Sequence, residues 1–275
     1  MSIVLALAAS LSWGVADYVG PLQGRRIGIW PVLFWSQVAG LVMLLVPTLA
    51  QTNLPSSGSL LWAVPAALAA TIGLAAYYKG MTVGAISVVA PIAGVSAAIP
   101  VAYGLALGDP VTLVRLIGLV AAILGVVLVS AEHHLGVRRV AAGVGLALVA
   151  AVSLGLYFPP MHAAGRAGFW WAATIYRIAT VSFIFIAIRI RKADFSIVRR
   201  DLPIVAAVGC GDSLGVLLFA ASSRHGLVSV TSVLASLYPV VTVLLAAFLL
   251  REHLGKLQLL GILFALGGAA LISTA

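Results

Sequence analysis

The sequence predicts an all-α, polytopic membrane protein with ten transmembrane helices arranged as two inverted five-helix repeats. Three observations lead to this prediction: the composition, a series of apolar segments, and a similarity between the two halves of the chain. Of the 275 residues, 63% are hydrophobic and only 8% are charged, whereas soluble domains average about 45–50% apolar and about 25% charged residues. The composition therefore indicates an integral membrane protein without a separate soluble domain.

Ten apolar segments follow one another along the chain. The longest uncharged one, 227–250, would extend about 36 Å as a helix, enough to cross a bilayer core of about 30 Å. Pro239 is expected to interrupt this helix. Apart from 51–59 and 189–202 the linkers are short, so successive helices should pack antiparallel. The segments are 3–20, 30–50, 60–78, 84–107, 112–131, 140–160, 169–188, 203–222, 227–250 and 257–273.

The second half of the chain repeats the first at a nearly constant spacing. Because each repeat holds an odd number of helices, the second must enter the membrane from the opposite face, as inverted-topology repeats do. The expected domains are 1–135 and 136–275. The spacing is 141 residues for Ser12 and Ser153, 142 for Gly84 and Gly226, and 143 for Gly118 and Gly261.

The positive charges predict the orientation. Of the 16 Lys and Arg residues, only Arg115, Arg166 and Arg224 lie on the side opposite the odd-to-even loops, and Arg177 lies inside a segment. By the positive-inside rule, the side that carries most of the Lys and Arg residues is cytoplasmic, so both termini are expected on the outer side of the cell membrane. The net charge of +9 then reflects topology, and we expect no nucleic-acid partner.

The corner between the fourth and fifth helices has the same pattern in both repeats. An acid, a short turn and a helix with a glycine pair follow one another in LALGDPVTLVRLIGLVAAILGVVLVS and in FLLREHLGKLQLLGILFALGGAALIS. With the serine-rich helix that ends in Tyr238 and Pro239, this pattern resembles the EamA branch of the drug/metabolite transporter superfamily over the whole chain. The resemblance implies a secondary carrier of small organic solutes that works by alternating access, often as an exporter.

Three charged residues lie clearly inside the membrane in the predicted topology. Asp212 and Arg177 are each about 12–14 Å from opposite ends of adjacent helices, which puts them within a few ångströms of the same depth in a core of about 30 Å. A charge there costs about 2.5–3.5 kcal/mol and so requires a partner or a use. Either the two residues pair, or Arg177 anchors an anionic group while Asp212 binds a proton or a cationic solute. Asp17 either lies at the membrane interface among the lipid head groups or is a second proton-coupling residue.

Aromatic and hydroxyl side chains are the other candidates for the substrate pathway. Aromatic rings offer contact area and attract cations, and hydroxyl groups add a few directional hydrogen bonds, which suits an amphipathic solute. Ser229 and Ser232 are expected to face the cavity, and Pro159 with Pro160 is expected to break the sixth helix. The predicted substrate-binding residues are Trp13, Tyr77, Ser87, Tyr157, Tyr176, Arg177, Ser229, Ser232 and Tyr238.

The motifs leave a transporter as the first interpretation. Neither a nucleophile with its base nor a cluster of carboxylates and histidines is present at recognisable spacing, so we expect no enzyme, metal or cofactor. A channel would need a filter loop or a ring of charges. The alternative is a flippase for a lipid-linked headgroup, with a lateral opening. The expected partners are a small-molecule substrate and the lipid bilayer. The glycine stripes are expected to hold helices together within the bundle or in a homodimer.

Overall fold

Every regular element in the described part of the chain is helical, as the sequence predicts. A computed structural model describes residues 1–51, 58–83, 93, 95–110, 112–130, 137–249 and 255–274. Short 3₁₀ turns lie at Gly58–Trp62 and Val95–Ala97. The helices are α1 (Ser2–Ile27), α2 (Ile29–Leu49), α3 (Ala63–Val83), α4 (Ala98–Ala106), α5 (Leu113–Ser130), α6 (Val137–Arg191), α7 (Leu202–Ser222), α8 (Val228–Ala235), α9 (Tyr238–Leu249) and α10 (Lys256–Thr274).

Five helical stretches of the described residues are long and apolar enough to cross a membrane. They are Ser2–Ile27, Ile29–Leu49, Gly58–Gly80, Gly145–Arg191 and Leu202–Ser222. Shorter apolar helices occupy Val95–Ala106, Leu113–Leu128, Val228–Thr242 and Lys256–Ile272. Large apolar side chains remain exposed on the outside of the bundle, among them Leu11, Val42 and Ile186. Lipid is the solvent that suits such a surface, because an apolar patch of this extent is rare on a soluble monomer.

Helix α6 joins two predicted helices, and its one departure from helical geometry is at Gly168, where φ is 170° and ψ is 99°. The expected break at Pro159 and Pro160 is wrong, because the helix continues through both prolines. A proline removes one backbone donor and crowds the preceding turn. Here the buried neighbours Phe158 and Met161 hold that turn in the core, so packing keeps it helical.

The segment 227–250 is divided, as predicted, just ahead of Pro239. Helix α8 ends at Ala235 and α9 begins at Tyr238, so Pro239 occupies the first turn of a new helix. At that position the missing N–H is not needed for an intrahelical hydrogen bond. The interruption thus separates the serine-rich half of the segment from its aliphatic half.

Helices α5 and α10 pack against each other through the predicted stripes of small residues. A Cβ atom on Gly118 would lie 2.9 Å from the carbonyl oxygen of Gly268, and one on Gly125 would lie 2.7 Å from that of Gly261. Along this contact the residue numbers rise in α5 while they fall in α10, so the two helices are antiparallel. Because the stripe is used inside the chain, a homodimer would have to use another face.

Glycine also allows α2 and α7 to approach closely. A Cβ atom on Gly209 would overlap the carbonyl oxygen of Ser36, whereas one on Gly211 would meet nothing nearer than 3.8 Å. The largest buried cluster, which includes Trp13, Tyr157 and Phe219, lies where α1, α3, α6 and α7 meet. Helix α7 takes part in this cluster and in the contact with α2, so the close approach of α2 and α7 adjoins the centre of the bundle.

We expect Gly209→Ala to destabilise the protein by about 1–3 kcal/mol or more, since the added methyl group overpacks a backbone contact. The measurement is thermal unfolding of the purified protein in detergent. Gly211→Ala is the matched control on the same helix, and its unfolding temperature should stay near that of the original protein. Equal effects of the two substitutions would contradict the close approach at Gly209.

Candidate functional site

An arginine and an aspartate pair in the interior of the helix bundle. The Nη1 atom of Arg177 on α6 lies 2.8 Å from the Oδ2 atom of Asp212 on α7. The Arg177 side chain is fully buried, and that of Asp212 keeps 19% of its surface exposed. The similar depths predicted for these residues are thus realised as an ion pair on neighbouring helices.

Gln37 on α2 completes this cluster, and sequence reasoning missed it. Its side-chain oxygen accepts a hydrogen bond from Arg177, and its Nε2 atom donates to Asp212 Oδ2 at 3.2 Å. The hydroxyl group of Thr180 donates to the same Gln37 oxygen at 3.2 Å. One carboxamide in the otherwise apolar α2 was the available signal. Gln37 ties α2 to the ion pair between α6 and α7.

The guanidinium group of Arg177 is not fully satisfied by this cluster. Within the described ranges its Nε and Nη2 atoms have no hydrogen-bond partner, although the group lies 5.2 Å from the centre of the Tyr176 ring. A buried charge is costly unless its partner and its remaining donors are in place. Asp212 is therefore the main group that stabilises the buried positive charge of Arg177.

A small cavity lies beside the ion pair, and many of the predicted residues line it. Its volume is about 60 Å³, room for about four water molecules at about 10–15 Å³ each. Arg177 is not among the residues that line it. The lining includes the predicted residues Trp13, Asp17, Tyr77, Tyr157, Tyr176, Asp212 and Tyr238, together with Phe158 and aliphatic side chains of α3, α6 and α7.

Trp13 connects the aromatic wall of this cavity to α7. Its indole N–H donates to the backbone oxygen of Asp212 at 3.2 Å, and its ring centre lies 6.0 Å from that of Tyr157 and 6.5 Å from that of Tyr238. A Cβ atom on Gly215 would lie 2.5 Å from the indole nitrogen. The indole therefore packs directly on the backbone of α7, which fixes its orientation.

The two serines predicted to face the cavity do not line it. Ser229 is buried, and both its backbone N–H and its hydroxyl group donate to Asp109 Oδ2, at 3.1 and 2.6 Å. Asp109 thus supplies a carboxylate to the first turn of α8, where an acidic group is favourable. Ser232 is also buried, and its hydroxyl group lacks a partner among the described residues. Neither serine lines the central cavity, and Ser87 lies outside the described residues.

A second cavity, of about 610 Å³, lies at the end of the bundle that holds the α4–α5 corner. Its lining includes Tyr103, Asp109, His162 and Arg166. His162 is buried, and its Nδ1 atom has no partner in the ranges that the structure describes. Over these same ranges, no group of three or more His, Cys, Asp or Glu residues could hold a metal ion.

Comparison with known proteins gives a family match and a structural match. A family model described as the EamA-like transporter family matches residues 1–131 and again residues 141–274. A solved structure described only as "Crystal structure of protein" aligns with a TM-score of 0.81 over 99% of this chain and 96% of the other, at 14% sequence identity. At this identity the likeness concerns the fold alone. No curated protein matches the chain significantly.

Proposed function

The chain belongs to the EamA-like transporter family, and from this premise we propose a secondary transporter that moves a small organic metabolite or drug-like solute across the cytoplasmic membrane by alternating access. Membership of this family makes the protein a multi-pass membrane protein that transports small solutes, and the family is not one of enzymes. The proposed direction is export, driven by exchange for protons.

The observation that supports this proposal best is the position of the central cavity. Trp13, Asp17 and Tyr77 reach it from the first family unit, whereas Asp212 and Tyr238 reach it from the second. A site shared by two units becomes accessible from alternate sides when one unit moves against the other. At about 60 Å³ the cavity is far below the roughly 300–1,000 Å³ of pockets that bind drug-sized ligands, so loading a solute requires such a movement.

The topology that we propose has ten spans in two inverted repeats. The antiparallel packing of α5 on α10 supports it, because residues at equivalent positions of the two units exchange contacts: Gly118 meets Gly268, and Gly125 meets Gly261. A two-fold axis in the membrane plane would produce that exchange. The distribution of Lys and Arg supports a proposed orientation with both termini outside.

The proposed coupling residues are Asp212 and Asp17, both of which line the cavity. Protonation of Asp212 would remove the charge that holds Arg177, and so would weaken the contact between α6 and α7. The proposed substrate contacts are the rings of Trp13, Tyr77, Tyr157, Tyr176 and Tyr238. The roles of Arg177, Ser87, Ser229 and Ser232 in substrate binding stay predictions.

A comparison of metabolites in cells with and without the protein tests this function. We expect one small solute to accumulate inside cells that lack the protein. That solute should then move across the membrane of proteoliposomes that contain it, faster when a pH gradient is imposed. Failure of every accumulated solute to move would contradict the proposal. Movement of a labelled lipid between leaflets instead would favour the flippase.

A further inference from the structure

The charges that face the central cavity are unequal in sign. Among the described residues, its lining contains the carboxylates of Asp17 and Asp212 and contains neither lysine, arginine nor histidine. Arg177 bonds to Asp212 but does not line the cavity. The wall of the cavity is therefore acidic.

Arg177 cannot offset both acids. Its charge is matched by Asp212 at 2.8 Å. Arg177–Asp212, Arg26–Asp201 and Arg200–Asp201 are ion pairs between described residues, and Asp17 takes part in none of these three. The group formed by Asp17, Asp212 and Arg177 thus carries one net negative charge when both acids are ionised.

The donors of Arg177 that the ion pair leaves over belong to a residue that does not line the cavity. Its Nε and Nη2 atoms are buried from solvent and have no partner among the described residues. An anionic group in the cavity would lie beside the carboxylates of Asp17 and Asp212, which line it. The geometry therefore disfavours an anion in this conformation, in contrast to the anchoring role that the sequence alone suggests for Arg177.

Aromatic rings form much of the remaining wall. Six aromatic residues line the cavity, namely Trp13, Tyr77, Tyr157, Phe158, Tyr176 and Tyr238. The face of an aromatic ring attracts a cation, by up to about 2 kcal/mol or more where water is excluded. The guanidinium group of Arg177 already interacts with the Tyr176 ring in this way.

We propose that the cargo is an organic monocation, whose ammonium group binds beside Asp17 among these aromatic rings. This inference rests on the proposed function and adds the substrate class to it. The small volume of about 60 Å³ suits a compact charged head group, and the rest of the solute enters when the units move apart. The bound cation neutralises the charge that Asp17 leaves uncompensated.

Tetramethylammonium is the probe for the test, and tert-butanol is its neutral counterpart of similar size. Binding to the purified full-length protein in detergent is measured by calorimetry and by the rise in unfolding temperature that a bound ligand causes. We expect tetramethylammonium to bind. We expect neither tert-butanol nor pivalate, the anionic counterpart, to bind. This selectivity is measured on the unaltered protein, so it does not depend on the folding of a variant.

Asp17→Asn should then weaken tetramethylammonium binding by at least about tenfold, the effect of losing one close charge in a poorly hydrated site. Asp194→Asn, the same change in the loop after α6, should leave it unchanged. Equal binding of the cation and the alcohol, binding of pivalate instead, or full cation binding by the Asp17 variant would each overturn the inference. Cation binding without any transport would contradict the proposed function and overturn the assignment of the cation as cargo, while the cation-binding site beside Asp17 would stand.

Discussion

Replacement of Arg177 by methionine is expected to destabilise the protein by about 3–5 kcal/mol, because it leaves a buried carboxylate without its partner. Asp212 would keep only the hydrogen bond from Gln37 at 3.2 Å. The free energy of unfolding in detergent measures the effect. A loss of this size is a large part of the roughly 5–15 kcal/mol that stabilises a typical domain, so we expect low yield and early unfolding.

The double substitution Arg177→Met with Asp212→Leu provides the matched control. Removing both charges also removes the desolvation cost, and such replacements are often neutral or stabilising. We therefore expect the double variant to recover most of the stability that the single variant loses. A single Arg177→Met variant as stable as the original protein would show that the ion pair contributes nothing to folding.

Replacement of Asp212 by asparagine is expected to abolish proton-linked transport in protein that still folds, with a loss of stability because Arg177 loses its charged partner. The side-chain oxygen of asparagine can still accept the hydrogen bonds that Arg177 and Gln37 donate to Asp212, but the amide does not exchange a proton. The measurement uses proteoliposomes loaded with the solute found by metabolite comparison. We expect accumulation driven by a pH gradient to fall to background.

Asp194→Asn is the control for this change of acid to amide. Asp194 is in the loop between α6 and α7, and its carboxylate accepts hydrogen bonds from the backbone N–H and the hydroxyl group of Ser196 at 2.8 and 2.9 Å. These bonds lower the pKa of the Asp194 carboxyl, so it stays ionised at neutral pH and takes no part in proton exchange. A folded Asp212→Asn variant with unchanged pH dependence would exclude Asp212 from coupling.

The Arg177–Asp212 pair links stability to the proposed transport cycle. In the ionised state it joins α6 to α7, and Gln37 adds α2 to the same cluster. Neutralising Asp212 removes the main stabilising partner of a buried guanidinium group. The same interaction that stabilises this conformation would therefore be the one that a proton releases.

Much of the fold follows from local sequence. Long apolar runs predict helices in a membrane, because backbone groups there must bond within the segment. The bounds of α7, for example, are Leu202–Ser222 against a predicted 203–222. The rare charges indicate the depth of Arg177 and Asp212, since depth along a helix follows from counting residues.

Tertiary packing decides what counting residues cannot: which way each helix turns its side chains and which distant residue it meets. Ser229 lies in the predicted polar stripe, yet it bonds to Asp109 at 2.6 Å, 120 positions away. Gln37 was overlooked because one amide has little weight until α2, α6 and α7 converge. The sequence alone determined a membrane-embedded helical transporter with a few buried charges. The structure placed Asp17 and Asp212 in the wall of the cavity and left Arg177 out of it. The rotation of each helix decides this, because it depends on contacts such as that of Gly209 with Ser36, which form only when the whole bundle packs.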